Sequence, residues 1–113
     1  MPEATARELH RIVDRFAALG HDTRLSLLLE LGERAPLSIT ELTEGASITR
    51  QAVTKHLHVL EDAGLVRSAR RGRETLFRAD PGALEETRDA LAEISRQWDR
   101  ALIRLKAHVE GQP

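Results

Sequence analysis

Cysteine is absent from this sequence, which removes disulfides, thiolate metal sites and cysteine redox switches from consideration. Tyrosine is absent too. With only Phe16, Phe77 and Trp98 as aromatics, leucine, isoleucine, valine and alanine must supply the core. The Leu27-Leu28-Leu29 block falls far short of the roughly 20 apolar residues of a membrane-spanning helix. Met1-Pro2-Glu3 opens a charged segment with no apolar run behind it, so no export signal and a cytoplasmic location are expected. There is no internal repeat, low-complexity tract or long linker, so residues 1–113 read as a single domain. Nor is there a bulk charge excess, since 17 Lys+Arg face 18 Asp+Glu.

Residues 38–79 carry most of the information. SITELTEGASITRQAVTKHLHVLEDAGLV opens with Ser38 and Glu41 at capping-box spacing, which satisfies two orphan backbone donors at a helix start. Gly45-Ala46-Ser47 ends that short helix, glycine being expected to accommodate the conformation of a tight turn. Thr49 can cap a second helix to about Ala63, with Val53, Leu57 and Leu60 on one face. This is helix-turn-helix spacing, over about residues 38–63. RSARRGRETLFRA follows as a basic hairpin over about residues 65–79. Strands are expected near 65–71 and 74–78, joined by Gly72-Arg73. The expected fold is therefore mostly α with a small two-stranded β wing. Such a winged helix is most commonly used to bind duplex DNA.

The distribution of charge agrees. Residues 50–78 hold seven basic side chains (Arg50, Lys55, Arg67, Arg70, Arg71, Arg73, Arg78) against Glu61, Asp62 and Glu74, a net of +4. Residues 1–49 carry −3 and residues 79–113 carry −2. A cationic patch on an otherwise acidic chain can displace phosphate counterions, which an evenly mixed surface does less well.

The flanking segments read as scaffold and dimerisation elements. Residues 5–19 form an amphipathic helix with Leu9, Ile12, Val13, Phe16 and Leu19 on one side, ended by Gly20. A second helix, about residues 22–34, carries Leu25, Leu28, Leu29 and Leu31 and is expected to be buried against the helix-turn-helix, with Ala35-Pro36 as its stop. Asp80-Pro81-Gly82 begins a last helix from about Ala83 to His108, with an apolar stripe of Leu84, Leu91, Ile94, Trp98, Leu102, Leu105 and Val109. At roughly 40 Å this helix outreaches the small winged module, so much of its stripe needs a partner. A symmetric homodimer through Leu9, Ile12, Phe16, Leu91, Ile94, Trp98, Leu102 and Leu105 covers it.

ALGHDTRLSLLLEL, ITRQAVTKHLHVLEDAGLV and RRGRETLFRAD together resemble the ArsR–SmtB type of winged-helix bacterial transcriptional regulators, over roughly residues 9–109. The resemblance implies a five-helix winged fold, a homodimer through the terminal helices, and repression by binding a double-stranded operator. Mapped onto this chain, base readout is expected from Arg50 and Gln51, in the helix turn that enters the major groove. Thr49, Thr54 and Lys55 are expected to hold phosphates, as is Thr40 near the preceding helix start, and His58 shares the exposed face. Arg71 and Arg73 flank the wing turn and are expected to reach the adjacent minor groove or its phosphates. An ordinary solvated helix surface is the plain alternative for Gln51 and Thr54. His56, beside Val53, Leu57 and Leu60, reads as a packing residue.

Many members of that family release DNA on binding a metal. Here the thiolate site has no counterpart, and on the last helix Asp99, His108 and Glu110 match the zinc-type pattern neither in spacing nor in number of histidines. No metal or other cofactor is expected. An irregular carboxylate–histidine site using His10, Asp14 or His108 at the dimer interface is the metal-responsive alternative. Trp98 reads as interface packing in preference to a ligand pocket. A protein-interaction winged helix is the other alternative. No Gly-rich phosphate loop, activated nucleophile or paired catalytic carboxylates are present, so enzyme activity is not expected.

Overall fold

The structure, a computed structural model, describes residues 6–111. Five helices and three short strands run in the order α1 (Ala6–Leu19), α2 (Asp22–Arg34), β1 (Leu37–Ser38), α3 (Ile39–Glu44), α4 (Arg50–Asp62), β2 (Val66–Arg71), β3 (Glu74–Ala79) and α5 (Pro81–Glu110). The expected start of α1 at Thr5 lies outside the described residues. No helix among the described residues is long and apolar enough to cross a membrane.

Local chemistry accounts for most boundaries. Ser38 and Glu41 form the anticipated capping box, with Glu41 N–H donating to Ser38 Oγ at 3.1 Å and Ser38 N–H to Glu41 Oε1 at 3.0 Å. Thr49 Oγ1 accepts from Ala52 N–H at 3.1 Å and starts α4. Helix α4 closes in a Schellman arrangement, Leu65 N–H returning to Leu60 O at 3.0 Å while Gly64 takes φ +79°. The wing turns on Gly72 (φ +65°) and Arg73, between the register pair Arg71 and Glu74.

The sheet differs from expectation. It has three antiparallel strands in the order β1-β3-β2, because Leu37 and Ser38 pair with Phe77 and Leu76 on the far edge of the hairpin. A two-residue strand is too short for any alternation to announce it. The pairing buries Leu37 and pins the α2–α3 connection to the wing base.

The core is leucine-rich, as the scarcity of aromatics requires. Leu31, Leu42, Val53, Leu57, Leu60, Leu65 and Val66 are fully buried between α2, α3, α4 and the sheet, with Phe77 as the buried aromatic. Helix α2 meets this core through Leu27, Leu28 and Leu31. The expected burial of Leu25 and Leu29 is corrected: they are 44% and 63% exposed. Leucine occurs at 25, 27, 28, 29 and 31, so composition alone leaves the phase of the helix ambiguous, and contact with α4 settles it in favour of Leu27.

Helix α5 engages the head only at its start. Ala83 and Thr87 are buried, whereas Trp98 and Leu102 are 64% and 56% exposed. The long helix gives the chain a principal extent of 70 Å against 32 and 21 Å. Its N-cap is Asp80, which accepts from Ala83 N–H at 3.1 Å and from Arg67 Nε at 2.6 Å. Those two donors, Ala83 N–H first, hold the Asp80 carboxyl below the usual aspartate range. A carboxyl lowered by folding contributes stability above the unfolded-chain pKa and loses it as pH falls through the folded value. Asp80→Ala is therefore expected to lower stability by about 0.5–2 kcal/mol at neutral pH, the usual loss for an N-cap. The gap to the parent should narrow on acidification. Denaturant melts at neutral and acidic pH check both, and an equal gap at the two would refute the assignment.

Candidate nucleic-acid interface

Helix α4 is amphipathic in the required sense. Val53, Leu57 and Leu60 lock one side into the core, and this fixes Gln51, Lys55 and His58 on the opposite, exposed side with Thr54 half-buried between. Its N-terminal turn adds the positive end of a helix dipole to the charges of Arg50 and Lys55. The acidic residues Glu61 and Asp62 lie at the other end, and Glu61 is engaged by the Ser68 hydroxyl of β2. The electrostatic gradient along α4 thus runs from a cationic N-terminus to an anionic C-terminus.

Three predicted site residues come together. Arg50 Nη1 donates to Thr40 Oγ1 at 2.7 Å, and Thr54 Oγ1 donates to Arg50 O at 2.8 Å. The guanidinium therefore leans across the start of α3, joining the two helices of the motif at their N-terminal ends. Thr49 is exposed but committed to its cap. Arg71 and Arg73 are exposed at the wing tip, at the strand end and in the turn respectively, separate from the α4 cluster.

Two sequence readings change here. Gly45 adopts φ −85°, an ordinary right-handed conformation, so the turn does not need glycine for its backbone. A Cβ at Gly45 would lie 3.2 Å from Glu30 Oε1, a contact that a small shift of the glutamate side chain relieves. Arg67 is ion-paired with Asp80 at the wing base, which offsets its charge within the basic hairpin.

Arg70 was missed. Ladder register places it on the same side of β2 as Val66 and Ser68, the side that meets α4 and the core, whereas Arg67 and Arg71 face the other way. It is exposed near the wing tip, so it joins the α4-facing side of the cationic surface. Strand alternation from the buried Val66 was the signal that could have found it.

His56 is a packing residue, as read. Its ring is half-buried against His21, with centroids 4.5 Å apart and planes tilted by 46°. Burial first, then the neighbouring His21 and Arg24, lower its pKa and favour the neutral ring. His21 serves as N-cap of α2, Nδ1 accepting from Thr23 N–H at 3.2 Å. Among the described residues no three His, Asp or Glu side chains converge as a metal site. His10 and Asp14 lie on α1, and His108 lies in the last turn of α5.

A helix-turn-helix domain family model matches residues 19–69, which span α2, the helix-turn-helix and the first part of β2. The chain is 51% identical over 74 residues to the uncharacterized HTH-type transcriptional regulator YuzN of Bacillus subtilis (strain 168), covering 58% of this chain and 80% of that protein. It is 31% identical over 72 residues to the arsenical resistance operon repressor of the same organism, covering 64% and 69%. An ArsR-like transcriptional regulator from Rhodococcus sp. RHA1 superposes with a TM-score of 0.73 at 39% identity, covering 87% of this chain and 92% of that one. With the cationic recognition helix and wing described above, these likenesses establish that the chain belongs to the ArsR–SmtB type of winged-helix, DNA-binding transcriptional regulators.

Proposed function

We propose that the protein is a homodimeric, cytoplasmic repressor without catalytic activity, which occupies a promoter operator and so excludes polymerase. The observation that carries this reading is the placement of Arg50, Gln51 and Lys55 on the exposed N-terminal half of α4, beside the arginine-rich wing. Arg50 and Gln51 read base edges in the major groove, arginine pairing with guanine and glutamine with adenine. Thr40, Thr49, Thr54, Lys55 and His58 fix register on phosphates. Arg70, Arg71 and Arg73 follow the backbone or minor groove beside the site. Ser38 and Ser47 have no part in chemistry, Ser38 being spent on its capping box.

Dimerisation is supported by the apolar stripes that one chain leaves open. Leu9 and Val13 on α1 and Leu91, Trp98, Leu102 and Leu105 on α5 are all more than half exposed. Pairing these helices buries both stripes and sets two reading heads about one helical turn of DNA apart, or a multiple of it.

The test is selection of bound duplexes from a randomised library by the purified protein. The expected outcome is a two-fold symmetric sequence whose affinity falls steeply with salt. Enrichment of no sequence, or salt-insensitive binding, would reject the reading. Lys55→Ala is expected to weaken the selected duplex and a scrambled one by similar factors. It should also lower the slope of log affinity against log salt by about 1 per reading head. Fluorescence anisotropy across a salt series measures this, and an unchanged slope would remove Lys55 from the phosphate contacts.

A further inference from the structure

Arg15 is anomalous on α1. The helix turns its apolar residues Leu9 and Val13 outward, yet buries this arginine to 7% exposure. Burying a guanidinium is costly unless its donors are satisfied. Here Nε donates to Ala63 O at 3.3 Å and Nη1 to Glu86 Oε2 at 2.9 Å. Ala63 is the C-cap of α4, where the helix dipole is negative, and Glu86 lies in the second turn of α5. The Glu86 carboxyl is held below its usual range, first by the hydrogen bond from Arg15 and then by its charge. One planar side chain thus joins α1, α5 and the C-terminal end of the recognition helix. The Arg67–Asp80 pair at the start of α5 reaches the wing instead.

We propose that Arg15 is a positioning residue for DNA recognition: it locks the C-terminal end of α4 to the dimer-forming helices and so sets the spacing at which the two reading heads meet DNA. This rests on the dimeric DNA-reading function proposed above. Leverage explains why one contact matters. At thirteen residues α4 is about 20 Å long, so a tilt of about 10° at its anchored end moves the reading end by about 3 Å. That is close to the rise of one base pair, ~3.4 Å. The close-packed core holds one face of α4 through Val53, Leu57 and Leu60, and the guanidinium adds a directional tie from its C-terminal end to α1 and α5.

The experiment uses the duplex that the parent protein selects from a randomised library, an isolated half-site, and versions with one base pair inserted or deleted between half-sites. Arg15→Met keeps the aliphatic stem and removes the fork, Arg15→Lys restores a donor, and Glu86→Gln neutralises the partner carboxylate at a side chain that is 60% exposed. Arg15→Met is expected to remain dimeric by sedimentation and to bind the half-site like the parent. It should bind the full site about tenfold more weakly, the scale of one lost hydrogen bond to a charged group. Its preference for the selected spacing over the shifted ones should flatten. Glu86→Gln should show part of that flattening, and Arg15→Lys should recover part of the preference. Parental spacing preference in Arg15→Met overturns the proposal, as does an equal loss on half-site and full site, which marks a merely structural role. Should Arg15→Met fail to fold, Glu86→Gln decides alone, and unchanged spacing preference there overturns it. If the parent is monomeric or indifferent to spacing, the underlying function fails visibly in the parent and this proposal falls with it.

Discussion

Replacing Leu91 and Leu102 with glutamate on α5 is expected to yield a folded monomer whose affinity for a two-half-site operator drops by about 10²–10⁴. Both side chains are already more than half exposed in the single chain, so the charges remove nothing from the core around Leu57 and Leu60. They act only where two chains meet, by placing carboxylates in an apolar seam that would have to desolvate them. The loss on DNA is large because the second reading head of a dimer binds at high effective concentration, and a monomer forfeits that advantage entirely. Sedimentation at micromolar concentration and anisotropy on the selected duplex measure the two effects. A variant that stays dimeric shows that α5 does not form the seam. A parent that is itself monomeric removes the dimer altogether.

Truncating the reading turn gives the second large effect. Arg50→Ala and Gln51→Ala should each weaken the selected duplex by about 1–3 kcal/mol, the worth of one bidentate base contact. Each should also flatten preference at its own base pair, and Gln51→Ala should leave scrambled DNA almost unaffected. The two differ in one respect. Arg50 is hydrogen-bonded to Thr40, so its removal also frees the hydroxyl at the start of α3, and Arg50→Ala should cost some phosphate anchoring as well. Binding to a panel of duplexes substituted at single base pairs separates these contributions. An unchanged base preference in both variants would move the reading face elsewhere on α4.

Several signals carried by near neighbours were legible in sequence. The Ser38–Glu41 box, the Thr49 cap, the Gly72-Arg73 turn and the Val53–Leu57–Leu60 face all depend on contacts within a few residues, and each appears where its pattern lies. Reading failed where several patterns coexist or where the partner is distant in the chain. The leucine-dense α2 allowed more than one buried face, and Leu27 took the place assigned to Leu25 and Leu29. The two-residue β1 has no periodicity of its own and exists only because Phe77 and Leu76 present a strand edge to it. Arg67 was counted with the DNA-facing charges because nothing local reveals Asp80 as its partner, thirteen residues on.

Sequence by itself determined the order of helices, the Ser38 and Thr49 caps, the winged helix-turn-helix and the segregation of positive charge into residues 50–78. These follow from backbone hydrogen bonding and helical periodicity, which act over one or two turns. Tertiary structure alone decided which cations take a partner within the molecule. Arg67 was drawn to the wing base, Arg15 was buried between three helices, and Arg50 was leaned onto Thr40. A charge finds its partner by distance in space, and that distance is set only when helices remote in the chain have packed.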